Sequence, residues 1–182
     1  MDYYHINGGK QLNGRVKISG AKNAALPVIV ASLLADGKTT LRNVPDLADI
    51  RTIIRVIEFL GAKTAFDAAS NTLTIEVHGI TNALVPYDIV KTMRASVYVL
   101  GPLLGRLGEA DVSLPGGCAI GERPVDIHLS GFEALGAEID LDGGYIKART
   151  EKKHLSGTVF KMRQISVGAT ANLLMGAVLA EG

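Results

Sequence analysis

The sequence is poor in cysteine, in aromatic residues and in net charge, and each scarcity excludes a class of protein. Its 182 residues include one cysteine and no tryptophan, so no internal disulfide holds the chain together. Lysine and arginine (19) nearly balance aspartate and glutamate (18), which excludes the strongly basic surface typical of nucleic-acid and anionic-membrane binders. Any site for an anionic ligand must therefore be local.

The sequence also lacks the hydrophobic segments that would direct it to a membrane. Its N-terminus does not have the charged and then apolar layout of a signal peptide. Its longest apolar run, 24–35, falls short of the roughly 18 to 20 residues that cross a bilayer. With 47% hydrophobic and 20% charged residues, the composition is that of a globular chain. We therefore predict a cytoplasmic protein without a membrane partner, in which the apolar run forms a buried helix.

What the sequence does contain is an internal repeat. A strand, an apolar helix, a strand, an amphipathic helix and two short strands follow one another twice and begin a third time, as a βαβαββ unit. Both amphipathic helices end in Leu-Gly-Ala, at 60–62 and 135–137. Because such units bury their faces against one another, the pattern predicts one continuous α/β domain. The apolar helices end at 32–37, 102–108 and 177–182, and strands follow the first two at 39–44 and 110–114.

Finer features of the repeat predict helix faces and turns. The first amphipathic helix carries apolar residues at spacings of three and four, which gives one buried stripe, and Asp46 or Asp49 can cap its start. A hairpin follows each amphipathic helix, with turns at Ser70 and Asn71 in the first unit and at 143–144 in the second. The apolar stripe consists of Leu47, Ile50, Ile54, Ile57 and Leu60.

The third unit is unfinished at residue 182. It begins with a predicted strand at 157–162 and a predicted helix from Val167 to about Ala180, and no second helix or hairpin follows. Two and a half copies of a unit that packs against its neighbours predict that this chain is part of a longer protein. The apolar surface that the unfinished unit leaves uncovered predicts self-association.

The segment most typical of a functional site is the glycine-rich connection 113–131 between a strand and a helix. Its glycines let a ligand approach the main chain, and Pro124 suits the first turn of the next helix, whose free N–H groups favour an anion. Cys118 lies in this loop with Arg123 five residues away. A lone cysteine is usually a small buried hydrophobe, but these surroundings favour a thiol that donates a proton or acts as a nucleophile.

Four stretches of the chain together resemble a known family. The loop sequence PGGCAIGERPVDIHLSG resembles the active-site loop of the UDP-N-acetylglucosamine enolpyruvyl transferases (1-carboxyvinyltransferases). The motifs SGAKNAALP, PYDIVKTMRAS and ISVGAT support this resemblance, in the family's order and near its spacing. It runs from Ile6 to Gly182 but covers less than half of a usual family member. The four stretches lie at 115–131, 19–27, 86–96 and 165–170.

The resemblance implies a fold and a reaction. The fold is an enolpyruvyl transferase-like inverse α/β barrel with helices inside and sheets outside. Residues 22–182 would form an incomplete lobe, and residues 1–21, with a strand near 16–19, would pair with another lobe. In the reaction, the 3-hydroxyl of UDP-N-acetylglucosamine attacks C2 of phosphoenolpyruvate, Cys118 protonates C3, and phosphate leaves. The family needs no metal and no organic cofactor, and its reaction opens peptidoglycan synthesis, on which cell-wall biogenesis, cell shape and cell division depend.

The resemblance also implies roles for single residues. Cys118, which is catalytic with Lys22 and Arg94, is the general acid toward phosphoenolpyruvate, can form a covalent adduct with it, and is the target of fosfomycin. Lys22 and Asn23 contact the substrates between the lobes, and Arg94 and Arg123 contact phosphates or the uridine end. Preorganised cations offset the repulsion between the negative charges of the two substrates. The remaining substrate contacts are Pro124, Val125, Asp126, Ile127, Gln164, Ile165, Ser166 and Val167.

Two departures from the family concern the nucleotide and the chemistry. At Gln164, some relatives carry a lysine that reaches the diphosphate, and glutamine keeps the hydrogen bonding but loses the charge. The carboxylate that deprotonates the sugar hydroxyl and further arginines lie, in the family, beyond residue 182. We therefore expect the 182-residue chain to fold at least in part and to be catalytically inactive by itself.

Each cation also has a purely structural interpretation. Lys22 begins an apolar helix, where a positive charge opposes the helix dipole, so stability offers no motive for it and a functional role is favoured. Arg94 shares a helical face with Lys91 and Tyr98, and that pattern alone indicates only a solvated face. Without the resemblance, Arg94 would therefore be interpreted as part of a solvated face.

Other functional classes are less well supported. Asp126 and His128 could be simple helix-start residues, and His128 has no second ligand at metal-binding spacing. The loop has neither the GxGxxG spacing of dinucleotide sites nor the GK[ST] of a P-loop. Shikimate-pathway enolpyruvyl transferases share the architecture but lack the PGGC loop. The alternative from a different class is a non-catalytic fragment that binds a nucleotide sugar or associates with itself.

Overall fold

A computed structural model describes residues 3–91, 93–114 and 125–182, with the backbone alone at Arg94. The elements follow the predicted order with two exceptions: the second apolar helix is broken into a short helix, a 3-10 helix and a longer helix, and the strands predicted near 16–19 and at 157–162 do not form. The helices are α1 (Lys22–Ala31), α2 (Ala48–Phe59), α3 (Tyr87–Val90), α4 (Leu100–Leu107), α5 (Asp126–Ala134) and α6 (Val167–Ala177), with 3-10 helices at Ser32–Leu34 and Arg94–Val99. The strands are β1 (Gly37–Leu41), β2 (Lys63–Asp67), β3 (Thr72–Val77), β4 (Leu84–Val85), β5 (Glu109–Ser113), β6 (Ala137–Asp142) and β7 (Tyr145–Thr150).

α1 confirms the buried helix that the apolar run predicted. Leu26, Ile29 and Val30 lie on its buried side, and the 3-10 helix Ser32–Leu34 ends it before β1. The helix owes its place to the burial of this apolar side, because a helix of this length is marginal by itself in water. Within the described ranges, no helix combines the length and the apolar composition needed to cross a membrane.

The amphipathic helix α2 confirms most of the predicted stripe. Ile50, Ile54, Ile57 and Leu60 are buried, whereas Leu47 is 43% exposed. Leu47 precedes the helix as its N-cap in an extended conformation, so its side chain is not aligned with the helical face. The prediction for Leu47 is therefore wrong.

The predicted cap of α2 is also wrong, because ion pairs occupy both candidate carboxylates. No side chain caps this helix. Asp46 accepts two hydrogen bonds of 2.7 Å from Arg51, which hold the pKa of the Asp46 carboxyl below its usual value. Asp49 accepts from the ammonium of Lys22. A charged partner nearby outcompetes the backbone N–H groups for these carboxylates.

The strands form two sheets, and both predicted hairpins are confirmed. The first sheet has the order β1-β3-β2 and is antiparallel throughout. The second has the order β4-β5-β7-β6, with only β4 and β5 parallel. Asn71, Gly143 and Gly144 adopt positive φ angles of 51°, 58° and 81°, the left-handed conformation that tight hairpin turns need and that asparagine and glycine tolerate.

Alternate residues of the strands bury one face of each sheet against the helices. In β3, Leu73, Ile75 and Val77 are at most 1% exposed, and in β7 Ile146 and Ala148 are fully buried. These side chains join the buried faces of α1, α2, α4 and α5 in one contiguous core. The helices therefore pack on the inner faces of the sheets, as expected for the predicted α/β architecture of repeated units.

Two predicted strands are absent near the ends of the chain. Residues 157–162 form no strand, and only an isolated bridge joins Ser156 to Glu181 beside them. Residues 16–19 are irregular within the exposed segment 3–19. A strand needs a neighbouring strand for its N–H and C=O groups, and no described strand pairs with either segment.

Candidate functional site

The helices α4, α5 and α6 begin at the same end of the molecule. Gly101 and Gly105 of α4 face Asn172 and Leu179, in that order, along and just beyond α6. Because the residue numbers of the contacts increase together along both helices, α4 and α6 run parallel. His128 near the start of α5 likewise faces the beginning of α6 at Gly168. Phe132, one turn later in α5, faces α6 about two turns further on, at Gly176.

The first unit is oriented in the same way. Lys22 in the first turn of α1 pairs with Asp49 in the first turn of α2, so these two helices start side by side. Arg106, near the end of α4, donates to the carbonyl oxygen of Leu33, just beyond α1, over 3.2 Å. The starts of five helices thus converge, and their unpaired N–H groups and dipoles create a region that favours anions.

Lys22 and Asn23 are exposed in the first turn of α1, where the sequence predicted them. The Lys22 ammonium lies 2.7 Å from an oxygen of Asp49, and both side chains are more than a third exposed. Asp49 offsets the unfavourable interaction of Lys22 with the dipole of α1 and leaves the ammonium accessible. An exposed pair of this kind contributes at most about 1 kcal/mol, so an anionic ligand can compete for Lys22.

Arg94 begins a 3-10 helix, so the predicted α-helical face of Lys91, Arg94 and Tyr98 is wrong. Lys91 follows the short α3 and pairs with Asp88 over 3.6 Å, and Tyr98 is partly buried against the core. A 3-10 helix turns every three residues, which displaces the side chains from the spacing of an α-helix. The segment leads into the start of α4 and therefore places the Arg94 backbone at the converging end.

The predicted catalytic loop precedes α5, which begins at this same end. Cys118, Arg123 and Pro124 lie outside the described residues. On one side of the loop, Leu114 donates its N–H to the carbonyl oxygen of Gly144 over 2.8 Å and so continues from β5. On the other side, Val125 is the N-cap residue of α5. Both ends of the loop are thus held by regular elements of the second unit.

The start of α5 combines a buried residue with a charged one. Ile127 is only 4% exposed and belongs to the interior, whereas Val125 and Asp126 are partly exposed. One oxygen of Asp126 pairs with the guanidinium of Arg163. The other oxygen is buried and has no hydrogen-bond partner among the described atoms.

The segment before α6 carries the other predicted substrate contacts. Gln164 is exposed, and Ile165 and Val167 are 97% and 83% exposed. Ser166 caps α6, since its Oγ accepts the N–H of Ala169 over 3.2 Å. The pair between Arg163 and Asp126 ties this segment to the start of α5, so the structure brings the two predicted stretches together.

Sequence reasoning missed three partners at this end of the molecule. They are Asp49 for Lys22, Arg163 for Asp126, and Asn172 for His128. The first two pairs join residues distant in sequence, and no local pattern reveals them. The third had a signal, because alignment of the Leu-Gly-Ala ends of the amphipathic helices places His128 opposite Ile53, a core position.

His128 is a buried residue and not merely a helix-start residue. It is 8% exposed, and its Nδ1 lies 3.0 Å from Nδ2 of Asn172. Burial lowers the pKa of His128 to about 4, so the imidazole is neutral at pH 7. The ring of Tyr98 lies 6.4 Å away, tilted by 51°, and burial raises the pKa of the Tyr98 hydroxyl.

Comparison with known proteins assigns the family. A family model described as EPSP synthase (3-phosphoshikimate 1-carboxyvinyltransferase) matches residues 6–182. The chain belongs to the EPSP synthase family. It is 53% identical over 182 residues to the UDP-N-acetylglucosamine 1-carboxyvinyltransferase of Cellvibrio japonicus, and 52% identical over 183 residues to that of Psychrobacter sp.. These matches cover 100% of this chain and only 43% and 42% of the relatives, so the chain spans less than half their length.

Solved structures of the family confirm the fold. The enolpyruvyl transferase NikO from Streptomyces tendae aligns with a TM-score of 0.73 at 22% identity, covering 94% of this chain and 39% of that protein. An EPSP synthase from Acinetobacter baumannii aligns with a TM-score of 0.72 at 17% identity, over 93% of this chain and 39% of its own. The predicted enolpyruvyl transferase-like fold is therefore confirmed.

Proposed function

We propose that this chain is the N-terminal part of an enzyme that transfers the enolpyruvyl group of phosphoenolpyruvate to the 3-hydroxyl of UDP-N-acetylglucosamine, with release of phosphate. The observation that carries the proposal is the 53% identity over the whole chain to proteins named for this reaction. The geometry supports it, because the described residues of the motifs that resemble the family lie at the end where the helices begin. Both substrates are anionic, and that end favours anions.

In this proposal the described residues bind and orient the substrates. A phosphate or phosphoenolpyruvate carboxylate displaces Asp49 from the Lys22 ammonium, so the cation keeps a charged partner throughout. The N–H groups at the start of α6, beside Ser166, receive further negative charge from the nucleotide diphosphate. Charge-assisted hydrogen bonds of this kind each contribute about 1.5 to 3 kcal/mol, which fixes the substrates relative to each other.

In the proposed chemical step, this chain carries out one proton transfer, from Cys118 to phosphoenolpyruvate. The sugar hydroxyl attacks C2 of phosphoenolpyruvate as Cys118 protonates C3, and the tetrahedral intermediate then loses phosphate from C2 and a proton from C3, which restores the double bond. The base for the hydroxyl and further arginines are expected in the part of the relatives that this chain does not span. The proposal involves no metal and no organic cofactor. It places the protein in the bacterial cytoplasm, at the start of peptidoglycan synthesis, as a target of fosfomycin.

A phosphate-release assay tests the proposal. The protein is a full-length chimera in which this chain is joined to the remainder of the Cellvibrio japonicus relative. Phosphoenolpyruvate is offered with UDP-N-acetylglucosamine or, as the matched control, with 3-phosphoshikimate. We expect phosphate release only with the nucleotide sugar and none from the 182-residue chain alone. Release with 3-phosphoshikimate in its place would refute the substrate assignment, and turnover by the isolated chain would refute the need for the missing groups.

Self-association of the isolated chain is a second proposal, supported by its exposed apolar side chains. Residues of this size normally lie inside, and contiguous exposed apolar surface favours association. Sedimentation velocity over a range of concentrations should show species larger than the monomer, and a single monomeric species throughout would contradict it. The most exposed of these side chains are Tyr3, Tyr4, Ile6, Leu12, Val16, Val159, Ile165 and Val167.

A further inference from the structure

The fully buried Asn172 of α6 bridges the junction between the 3-10 helix Arg94–Val99 and α4. Its Nδ2 donates to the carbonyl oxygen of Val97, and its Oδ1 accepts the N–H of Gly101, both over 2.9 Å. Val97 and Gly101 are four residues apart, the spacing at which a carbonyl and an N–H pair in a regular α-helix. The carboxamide of a distant helix thus serves both groups where the helical pitch changes, a recognised cause of helix distortion.

The third bond of the Asn172 carboxamide determines the proton position on His128. An amide nitrogen has two donors and no acceptor, and one donor is directed to Val97. The second points to Nδ1 of His128 over 3.0 Å, so Nδ1 must accept and the proton of the neutral ring lies on Nε2. If the carboxamide were rotated by half a turn, its oxygen would face the carbonyl oxygen of Val97 and its NH₂ group would face the N–H of Gly101. Neither pair can form a hydrogen bond, so this orientation is excluded.

This arrangement places the protonated edge of His128 against the first turn of α6. A Cβ added at Gly168 would lie 3.5 Å from Nε2 of His128 and 3.3 Å from the Tyr98 hydroxyl. Gly168 immediately follows the exposed stretch 164–167. The absence of a side chain there lets the ring and the hydroxyl approach the backbone that begins α6.

One carboxamide therefore connects three segments that carry predicted substrate contacts. The 3-10 helix begins with Arg94, α5 begins directly after the catalytic loop, and α6 begins after Ser166. The close contacts at Gly101 and Gly131 leave little room for the helices to shift independently, since a Cβ at either position would collide with α6. Hydrogen bonds in such a buried interface are electrostatically stronger than hydrogen bonds in water.

We propose that Asn172 is a positioning residue for the enolpyruvyl transfer reaction, which holds the Arg94 segment, the start of α5 and the start of α6 in one fixed arrangement through the neutral Nε2–H form of His128. This inference rests on the proposed function. Asn172 itself is fully buried and touches no substrate. Its effect on turnover arises because small displacements of groups that orient substrates are costly, up to about a hundredfold for 1 Å.

The experiment compares Asn172→Leu and Asn172→Asp with a matched control, Thr150→Val. Leucine keeps the volume and removes all three bonds, while aspartate keeps only the acceptor for Gly101. Thr150 is also buried and donates to a backbone carbonyl, that of Gly108 at the opposite end of α4, over 3.1 Å. Its replacement removes a comparable bond away from the converging helix starts.

Two measurements are made on these proteins. In the 182-residue chain, long-range proton–nitrogen NMR spectra report the tautomer of each imidazole, and loss of one signal set in His128→Gln assigns His128. In the full-length chimera, kcat and KM are measured for both substrates at a temperature where all variants remain folded by circular dichroism. We expect Nε2–H in the wild type, loss of that preference in Asn172→Leu, and a fall in kcat/KM of about ten- to a hundredfold in both Asn172 variants but not in Thr150→Val.

The possible failures are distinguishable. An active wild type whose Asn172 variants retain its kcat/KM would overturn the positioning role alone, as would a His128 protonated on Nδ1. An equal loss in Thr150→Val would assign the effect to general destabilisation and likewise overturn it. A wild-type chimera that releases no phosphate with UDP-N-acetylglucosamine would overturn the proposed function, and the positioning role with it. If Asn172→Leu does not fold, Asn172→Asp decides the kinetic question.

Discussion

The two complete repeat units place different side chains at the same core position of their amphipathic helices. In α2 this position is Ile53, which is fully buried among apolar neighbours. In α5 it is His128, which is also buried but bonds to Asn172. At this position the first helix is held by packing alone, whereas the second is also held by a directional polar bond. The two units thus share one scaffold, in which the first has an apolar contact at this position and the second has a hydrogen bond that orients the side chain.

The two units also differ in the connections that precede these helices. In the first unit, residues 42–47 join β1 to α2, and Asn43 adopts a left-handed φ of 59° in this short turn. In the second unit, residues 114–125 join β5 to α5 and contain the glycine-rich segment with Cys118. A longer connection at an equivalent place costs little closure entropy. The two units therefore share the arrangement of strand and helix and differ in the length and composition of this connection.

The largest effect is expected from Cys118, which has no counterpart in the connection of the first unit. In the full-length chimera, Cys118→Ser should lower kcat by about a hundredfold to ten-thousandfold, the usual contribution of a general acid. The same variant should lose the mass increase caused by fosfomycin at the corresponding peptide, measured by mass spectrometry. Arg42→Ser, in the connection of the first unit, is the control and should change neither quantity.

Two outcomes would contradict this assignment of Cys118. The first is a fosfomycin adduct that persists at the loop peptide of the serine variant. The second is a loss of activity in Arg42→Ser as large as that in Cys118→Ser, which would remove the functional difference between the two connections.

The next effect concerns the acid sensitivity that His128 gives to the second unit. Because the pKa of His128 is about 4 in the folded chain and about 6.5 when unfolded, the unfolded state takes up the proton first as the pH falls. The free energy of unfolding contributed by this group is therefore complete above pH 6.5 and decreases below it, by about 3 kcal/mol at pH 4. Tyr98, whose pKa is raised, stays neutral over this range.

His128→Ile gives the second unit the residue of the first and should flatten this dependence. Its stability at pH 7 should be lower by about 1 to 3 kcal/mol, because a donor of Asn172 loses its acceptor. Urea unfolding of the 182-residue chain between pH 7 and pH 5 measures both effects. This range lies above the pH at which Asp46 takes up a proton. The stability that comes from the lowered pKa of Asp46 is lost only in stronger acid. An unchanged slope in His128→Ile would show that the imidazole is not the acid-sensitive group.

The smallest effect tests whether both units contribute cations to one site. Lys22 belongs to the first unit and Arg123 to the second, and each should lose one charge-assisted bond to an anionic substrate when replaced by glutamine. We expect kcat/KM in the chimera to fall roughly tenfold or more in each variant, with little change in the free energy of unfolding. Arg51→Gln, on the exposed side of α2 and paired with Asp46, is the matched control.

The result also separates the two units. A loss for Arg123→Gln without a loss for Lys22→Gln would confine the site to the second unit. Unchanged kinetics in both variants would return these residues to the structural interpretation, in which Lys22 serves only as the partner of Asp49.

Much of the fold could be predicted because its signals are local. The apolar run 24–35 indicated α1, the spacing of apolar residues indicated most of α2, and asparagine and glycine at the turns indicated both hairpins. The failures have non-local causes. The predicted burial of Leu47 was wrong because the chain is extended at this residue, just before α2. The predicted caps were wrong because Asp46 and Asp49 form ion pairs instead. The strand at 157–162 was wrong because a strand depends on a neighbour that the local pattern does not contain.

In the candidate site, too, the local features could be predicted from the sequence and the contacts between separate elements could not. Its residues were identified by resemblance of short motifs, and the structure places the described ones at one end of the molecule. Sequence could not predict that Asp49 pairs with Lys22 or that Arg163 pairs with Asp126, since these contacts join separate elements. It also could not predict the pitch change at Arg94–Val99, because side chains of α6 and not the segment's own residues bridge its end.

The amino-acid sequence by itself determined the repeat, the element order, the turns and the motifs, because periodicity and turn chemistry act over a few neighbouring residues. Only the tertiary structure decided that five helix starts converge, that His128 is buried and neutral, and that Asn172 bonds to the 3-10 helix, to α4 and to α5. These features depend on which helix faces meet. Burial then strengthens the polar bonds between those faces and lowers the pKa of His128, because the interior solvates charge poorly.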